Sequence, residues 1–219
     1  MKKLLAALFL SMILAQPVIA DENRFKTLHV LADLSASNPI VSSETYSQLI
    51  AYRVSEAILA MNYGDYVSFT TFGNLRLDDQ LRVRVRLTKR NKPEAVAKKI
   101  AQLILSIPTG DIQAQQSTEI VAQLEWGSFN CAARDQLLIA TDGIEASGFV
   151  PSPKKLLNGS AVLPEPMEPG YLEGCTVTML GIGKAENGSW PGPQVRNLTK
   201  AWKNYMTAAK ADFTALPNP

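Results

Sequence analysis

His29-Val30-Leu31-Ala32-Asp33-Leu34-Ser35-Ala36-Ser37 is the stretch whose reading decides the fold. An apolar run, Val30 to Ala32, reads as a buried strand bounded by polar residues. Asp33, Ser35 and Ser37 then alternate with Leu34 and Ala36, so the three polar side chains can share a direction as the chain leaves the strand. One carboxylate and two hydroxyls are oxygen donors only. Such a set suits a hard cation, Mg²⁺ or alternatively Mn²⁺ or Ca²⁺, and not a zinc site built from Cys or His.

Outward from this stretch, apolar periodicity divides the chain into alternating strands and helices. Residues 44–61 carry Ile50, Val54, Ile58 and Met61 at helical spacing, after a Ser42-Ser43 cap and with Glu44 in the first turn. Residues 65–72 are β-branched and aromatic, which marks a strand. In residues 81–87, Leu81, Val83, Val85 and Leu87 alternate with Arg82, Arg84 and Arg86. That is a half-exposed strand, and the link at 74–80 is too short for a crossover helix, so the pairing should be antiparallel. The Arg face reads as the solvated side of an edge strand, with an anionic partner as the alternative.

A second helix should start at Pro93 and end by Pro108, with Val96, Ile100 and Ile104 as its stripe. Residues 109–116 read as a polar loop, 118–126 as a short helix and 135–140 as a buried strand ending in Thr141-Asp142-Gly143. Residues 147–174 are rich in Pro and Gly, with at most a turn of helix near 154–157. A strand at 176–182, a polar loop at 185–193 and an amphipathic helix to about residue 210 follow. The tail from residue 213 reads as a short edge segment. The expected fold class is therefore α/β: a doubly wound, mostly parallel sheet with one antiparallel edge strand and helices on both faces. In such sheets, sites lie at the carboxyl ends of the strands where strand order reverses. Asp33 and Asp142 both stand just past buried strands.

The residues around these two acids resemble a von Willebrand factor type A (vWA) domain over about residues 28–210. Asp33, Ser35 and Ser37 match the Asp-x-Ser-x-Ser loop of the family's metal-ion-dependent adhesion site. Gln116-Ser117-Thr118-Glu119-Ile120 resembles the second loop, where a Thr at the start of a helix binds the metal. The family often has glycines before that Thr, whereas Gln115-Gln116 stand here, so Ser117 rivals Thr118 for the role. Asp142, in Thr-Asp-Gly, matches the third loop, and residues 198–206 resemble the closing helix. The resemblance implies direct ligation of Mg²⁺ by Ser35, Ser37 and Thr118. It implies that Asp33 and Asp142 act partly through water and orient the ligands. One coordination position would then be open to a Glu or Asp from a partner protein.

The N-terminus has the layout of a Sec signal peptide: Lys2-Lys3, an apolar core from Leu4 to Ala15, and Val18-Ile19-Ala20 before Asp21. The core is shorter than the ~20 residues of a spanning helix. The expectation is a periplasmic or secreted chain with a signal peptide at 1–20, one domain at 21–219 and no integral membrane segment after cleavage. Removing Lys2 and Lys3 from 22 basic residues leaves 20, balanced by 20 acidic residues. A neutral mature chain argues against nucleic acid as the partner. Two cysteines only, Cys131 and Cys175, point to one disulfide in an exported chain, with two buried thiols as the alternative. If their strands are parallel neighbours, both lie at the end of the sheet away from the metal. His29, the single His, reads as a packed or surface strand residue. Trp126, Trp190 and Trp202 read as core or rim packing.

Three functions compete. The first is a binding module that docks a partner through a metal-bridged acid, with residues 147–174 shaping partner choice. The second is a scaffold with a vestigial metal site. The third is an enzyme resembling haloacid-dehalogenase phosphatases, but the second acid such chemistry requires is Ser35 here. No Gly-x-Ser-x-Gly elbow is present for a serine hydrolase. The first reading, not an enzyme, is the one expected. Oligomeric state is not legible.

Overall fold

The computed structural model describes residues 25–73, 80–111, 114–150, 152–186 and 188–219. The signal-peptide segment, and residues 74–79 of the link expected to be short, lie outside the described residues. In chain order the elements are β1 (Thr27–Asp33), α1 (Glu44–Leu59), β2 (Tyr66–Phe72), β3 (Arg82–Arg86), α2 (Pro93–Ser106), α3 (Ile120–Glu125), β4 (Gln136–Ala140), α4 (Pro153–Leu157), β5 (Thr176–Leu180), β6 (Lys184–Ala185), β7 (Gly188–Ser189), α5 (Gly192–Ala208) and β8 (Asp212–Leu216).

Among the described residues, six strands form one sheet in the order β3-β2-β1-β4-β5-β8. Every neighbouring pair is parallel except β2–β3. This is the α/β sheet with an antiparallel edge that the pattern predicts, and the tail does form the opposite edge as β8. Strand order reverses between β1 and β4, so the crevice at their carboxyl ends is where a ligand site belongs.

The core forms on both faces. Leu28, Val30, Val67 and Phe69 pack with Ile50 and Val54 of α1 and Ile100 of α2. On the other face Leu137, Ile139, Val177 and Met179 pack with Leu124 of α3 and Leu198 and Trp202 of α5. Burying each such side chain contributes roughly 1.5–3 kcal/mol. The α1 helix starts where expected because the Ser43 side chain accepts the Tyr46 amide at 3.2 Å.

Three boundaries differ from the sequence reading. The third helix begins at Ile120, not at Thr118. Thr118 is held in an antiparallel bridge to Ala146, and a tertiary backbone pair outweighs local helix propensity there. The expected loop at 185–193 contains the small β6–β7 ribbon. The loop after α2 opens with a wide turn, Ile107–Asp111, in which Gly110 has φ 88°. Cys131 and Cys175 are joined by a disulfide with 4.6 Å between Cα atoms. They precede β4 and β5, so the bond lies at the amino ends of the strands.

Candidate functional site

Asp33 ends β1 and is fully buried. Its Oδ1 accepts the Ser35 amide at 2.8 Å and its Oδ2 accepts the Thr141 hydroxyl at 2.7 Å. Asn38 Nδ2 donates to the carbonyls of Asp33, at 2.8 Å, and Ala140, at 3.2 Å. These bonds lace the first loop to the end of β4, so β1 and β4 present their carboxyl ends as one rigid floor.

The second loop is drawn alongside by backbone pairing. Ser35 bridges Gln115 in parallel; the Ala36 amide donates to the Gln115 carbonyl at 2.9 Å, and the Gln115 amide to Leu34 at 2.8 Å. Thr118 in turn bridges Ala146 beyond the third loop, whose amide donates to the Thr118 carbonyl at 2.9 Å. Glu145 is fully buried, and its Oε2 accepts the Val121 amide at 3.0 Å, capping α3. The third loop turns through Gly143, whose φ of 79° favours glycine. Trp202 of α5 anchors that turn by donating Nε1–H to the Gly143 carbonyl at 2.7 Å.

The three loops enclose a depression of about 280 Å³. Ser35, Ser37 and Thr118 line it together; Ser117 does not. The Ser35 and Ser37 hydroxyl oxygens are 3.3 Å apart. Lys154 and Leu157, from the 147–174 segment, stand on the rim with Trp190. Asp142 is buried below. Its Oδ1 accepts the Ile144 amide at 2.9 Å, while Oδ2 is buried with no hydrogen-bond partner.

Burial raises the pKa of Asp33 well above the usual carboxylate range, and the charge of Asp142 raises it further; the Ser35 amide and Thr141 hydroxyl work against both. Burial likewise raises Asp142, opposed by the nearby Ser37 hydroxyl and the Ile144 amide. Two neighbouring buried carboxyl groups, one with an orphaned oxygen, each held back from ionising by burial, form a site whose ionised form added positive charge favours. Three hydroxyls above them complete an all-oxygen donor set of the kind that accepts a hard divalent cation. The residues present therefore fit such an ion.

Thr141, Asn38 and Glu145 were not singled out from sequence. Thr141 alone had a signal, its place beside Asp142 at a strand end. His29 is not in this site: its Nε2 meets Asp135 Oδ2 at 2.9 Å at the amino end of the sheet, and its ring packs edge-on to Phe129. Trp202 is fully buried and Trp126 is 61% exposed.

No protein-family model matches the chain, and no curated protein is significantly similar to it in sequence. Among solved structures, the chain is loosely similar to an aerotolerance-related membrane protein from Bacteroides fragilis, with 13% identity and a TM-score of 0.46 over 87% of this chain and 91% of that one. A conserved hypothetical protein BatB from Bacteroides thetaiotaomicron matches with 13% identity and a TM-score of 0.44, over 89% and 91% of the two chains. The pilus adhesin SpaC from Lactobacillus rhamnosus GG gives 13% identity and a TM-score of 0.39, over 88% of this chain and 28% of the adhesin. At these TM-scores the likenesses carry no argument about activity.

Proposed function

We propose that this chain is an exported binding module of the vWA type, which docks a partner protein in the bacterial envelope or outside the cell through a Mg²⁺-bridged Glu or Asp. The observation that carries the reading is the convergence of Ser35, Ser37 and Thr118 on one pocket, with the buried carboxyl of Asp142, one oxygen of which has no hydrogen-bond partner, beside the Ser37 hydroxyl. Ser35, Ser37 and Thr118 would hold the ion directly. Asp142 would face it from below, and Asp33 would fix the loop through Ser35 and Thr141. Bound there, the ion supplies a Lewis-acidic position for a carboxylate. Neutral hydroxyl ligands leave its charge largely uncancelled, which favours an acidic partner group.

The rim fits the same reading. Lys154 adds a cation beside the pocket, and residues 147–174 contribute to its wall, as a segment that shapes partner choice would. Against a phosphatase, Asp33 is fully buried and both its oxygens are engaged, so it is not placed to attack a phosphoryl group. No helix among the described residues is long and apolar enough to cross a membrane.

The test is thermal unfolding of the mature chain in EDTA and in millimolar Mg²⁺, beside Ser37→Ala and Asp33→Ala. A ligand that binds only the folded state stabilises it by mass action, by about 2.7 kcal/mol at a hundredfold excess over Kd. A Mg²⁺-dependent rise in the native chain that Ser37→Ala abolishes supports the metal-bridged module. No response in the native chain transfers the reading to a scaffold with a vestigial site.

A further inference from the structure

Among the described residues, no long helix covers one face of the sheet at its β3–β2–β1 end. Alternation along β3 sends Val83 and Val85 toward the core under α1 and α2 and leaves Arg82, Arg84 and Arg86 exposed. The three arginines line a groove of about 880 Å³ with Tyr66, Phe25 and Trp126. Thr27, Ser68 and Thr70 contribute hydroxyls to it. Helix α3 has only six residues and supplies a wall, not a cover. The groove shares no lining residue with the depression at the carboxyl ends.

Among the described residues no carboxylate pairs with the three guanidiniums. Arg82 donates twice to Gln80 Oε1, at 3.1 and 2.6 Å, and Arg86 Nε donates to the Gly64 carbonyl at 3.3 Å. Arg84 lies over the Tyr66 ring at 4.5 Å, and Arg86 over Phe25 at 4.9 Å. Stacking of this kind pre-sets an arginine while leaving donors free. Among the described residues, the one acid lining the groove, Asp135, is 2% exposed. Its oxygens are engaged by His29 and by the amides of Thr27 and Asn130, at 2.9, 2.7 and 2.8 Å.

We propose that this groove docks an extended acidic segment of a partner protein, with carboxylates on the arginines and an aromatic side chain against Trp126. Charge complementarity and register carry the assignment. Alternate residues of a strand repeat every ~6.8 Å, so an extended segment with an acid at every second position matches Arg82, Arg84 and Arg86. The mature chain is neutral as a whole, so the positive charge is local to the groove and does not form the broad basic surface that nucleic acid selects. A concave groove walled by α3 also suits a peptide better than a membrane plane.

The experiment is fluorescence anisotropy of a labelled peptide alternating Glu and Tyr, titrated with the mature chain in EDTA, which removes any metal-bridged capture of carboxylates. The expected result is saturable, salt-sensitive binding, with no binding of the matching Lys–Tyr peptide. Arg84→Glu with Arg86→Glu weakens it by about tenfold or more, and Trp126→Ala weakens it further. If the double variant has a lower thermal midpoint, Arg84→Gln alone, at an exposed position, decides the matter. Absence of binding by the native chain, binding indifferent to the arginine substitutions, or tighter binding of a single-stranded oligonucleotide overturns the proposal. Because EDTA is present throughout, failure here leaves the metal-site reading untouched.

Discussion

The Thr141 hydroxyl donates to Asp33 Oδ2 across 2.7 Å, joining the ends of β1 and β4 at the point where strand order reverses. Asp33 therefore spends one oxygen on its own loop and the other on a neighbouring strand. Replacing Thr141 by the isosteric Val leaves a fully buried carboxyl oxygen without its donor. The expected cost is about 1–3 kcal/mol of unfolding free energy. Urea denaturation of Thr141→Val beside the native chain checks it, and a loss below a few tenths of a kcal/mol contradicts the role given to this bond.

Asp142 should trade stability for function. Its Oδ2 is buried without a partner and burial raises its pKa, so at pH 8 in EDTA the folded chain carries an uncompensated charge. Asp142→Asn removes that charge and keeps an acceptor for the Ile144 amide. The variant should melt higher than the native chain in EDTA and lose its response to Mg²⁺. A lower midpoint in EDTA refutes the electrostatic account.

Asp135 should set the acid limb of stability. Burial pushes its pKa up, but hydrogen bonds from His29 and the Asn130 and Thr27 amides prevail and hold it below the ordinary 3.8. A folded pKa below the unfolded value contributes stability that is present above pH 3.8 and lost as pH falls through the folded value. Asp135→Asn should be less stable than the native chain at pH 7, and the gap should narrow from pH 5 downward. Unfolding midpoints measured in guanidinium chloride across that range test the sign; a gap that widens toward acid would be incompatible with it.

The Cys131–Cys175 bond closes a separation of 44 residues at the amino ends of β4 and β5, opposite the loops of the proposed metal site. Paired Cys131→Ser and Cys175→Ser substitutions should cost about 2–4 kcal/mol. The Mg²⁺-induced rise in midpoint should keep its size, since no loop of the site touches the bond. Isothermal titration with Mg²⁺ at a temperature where the variant is folded separates the two effects; a lost Mg²⁺ response would show the ends of the sheet to be coupled.

Periodicity and end signals were enough to place the strands of the main sheet and helices α1, α2 and α5, because burial on both faces demands continuous apolar runs such as Val30 to Ala32, and Pro93 and Ser43 mark helix starts by local backbone chemistry alone. The alternation of Val83 and Val85 with arginines marked a half-exposed strand, and the short link before it gave the antiparallel pairing. The positions of Asp33, Ser35, Ser37 and Asp142 at the carboxyl ends of β1 and β4 were legible because each sits within two residues of a strand end or in step with one. Sequence placed Thr118 at the second loop with Ser117 as its rival, and the tertiary structure separates them: Thr118 bridges Ala146 and lines the pocket, while Ser117 does not line it. The roles of Thr141, Asn38 and Glu145 rest on hydrogen bonds to residues 108, 102 and 24 positions away, which no local pattern encodes. The openness of the arginine face was also decided in three dimensions. An alternating strand has a polar face in any fold; among the described residues, the shortness of α3 and the stacking of α1 and α2 on the opposite side leave this one without a covering helix.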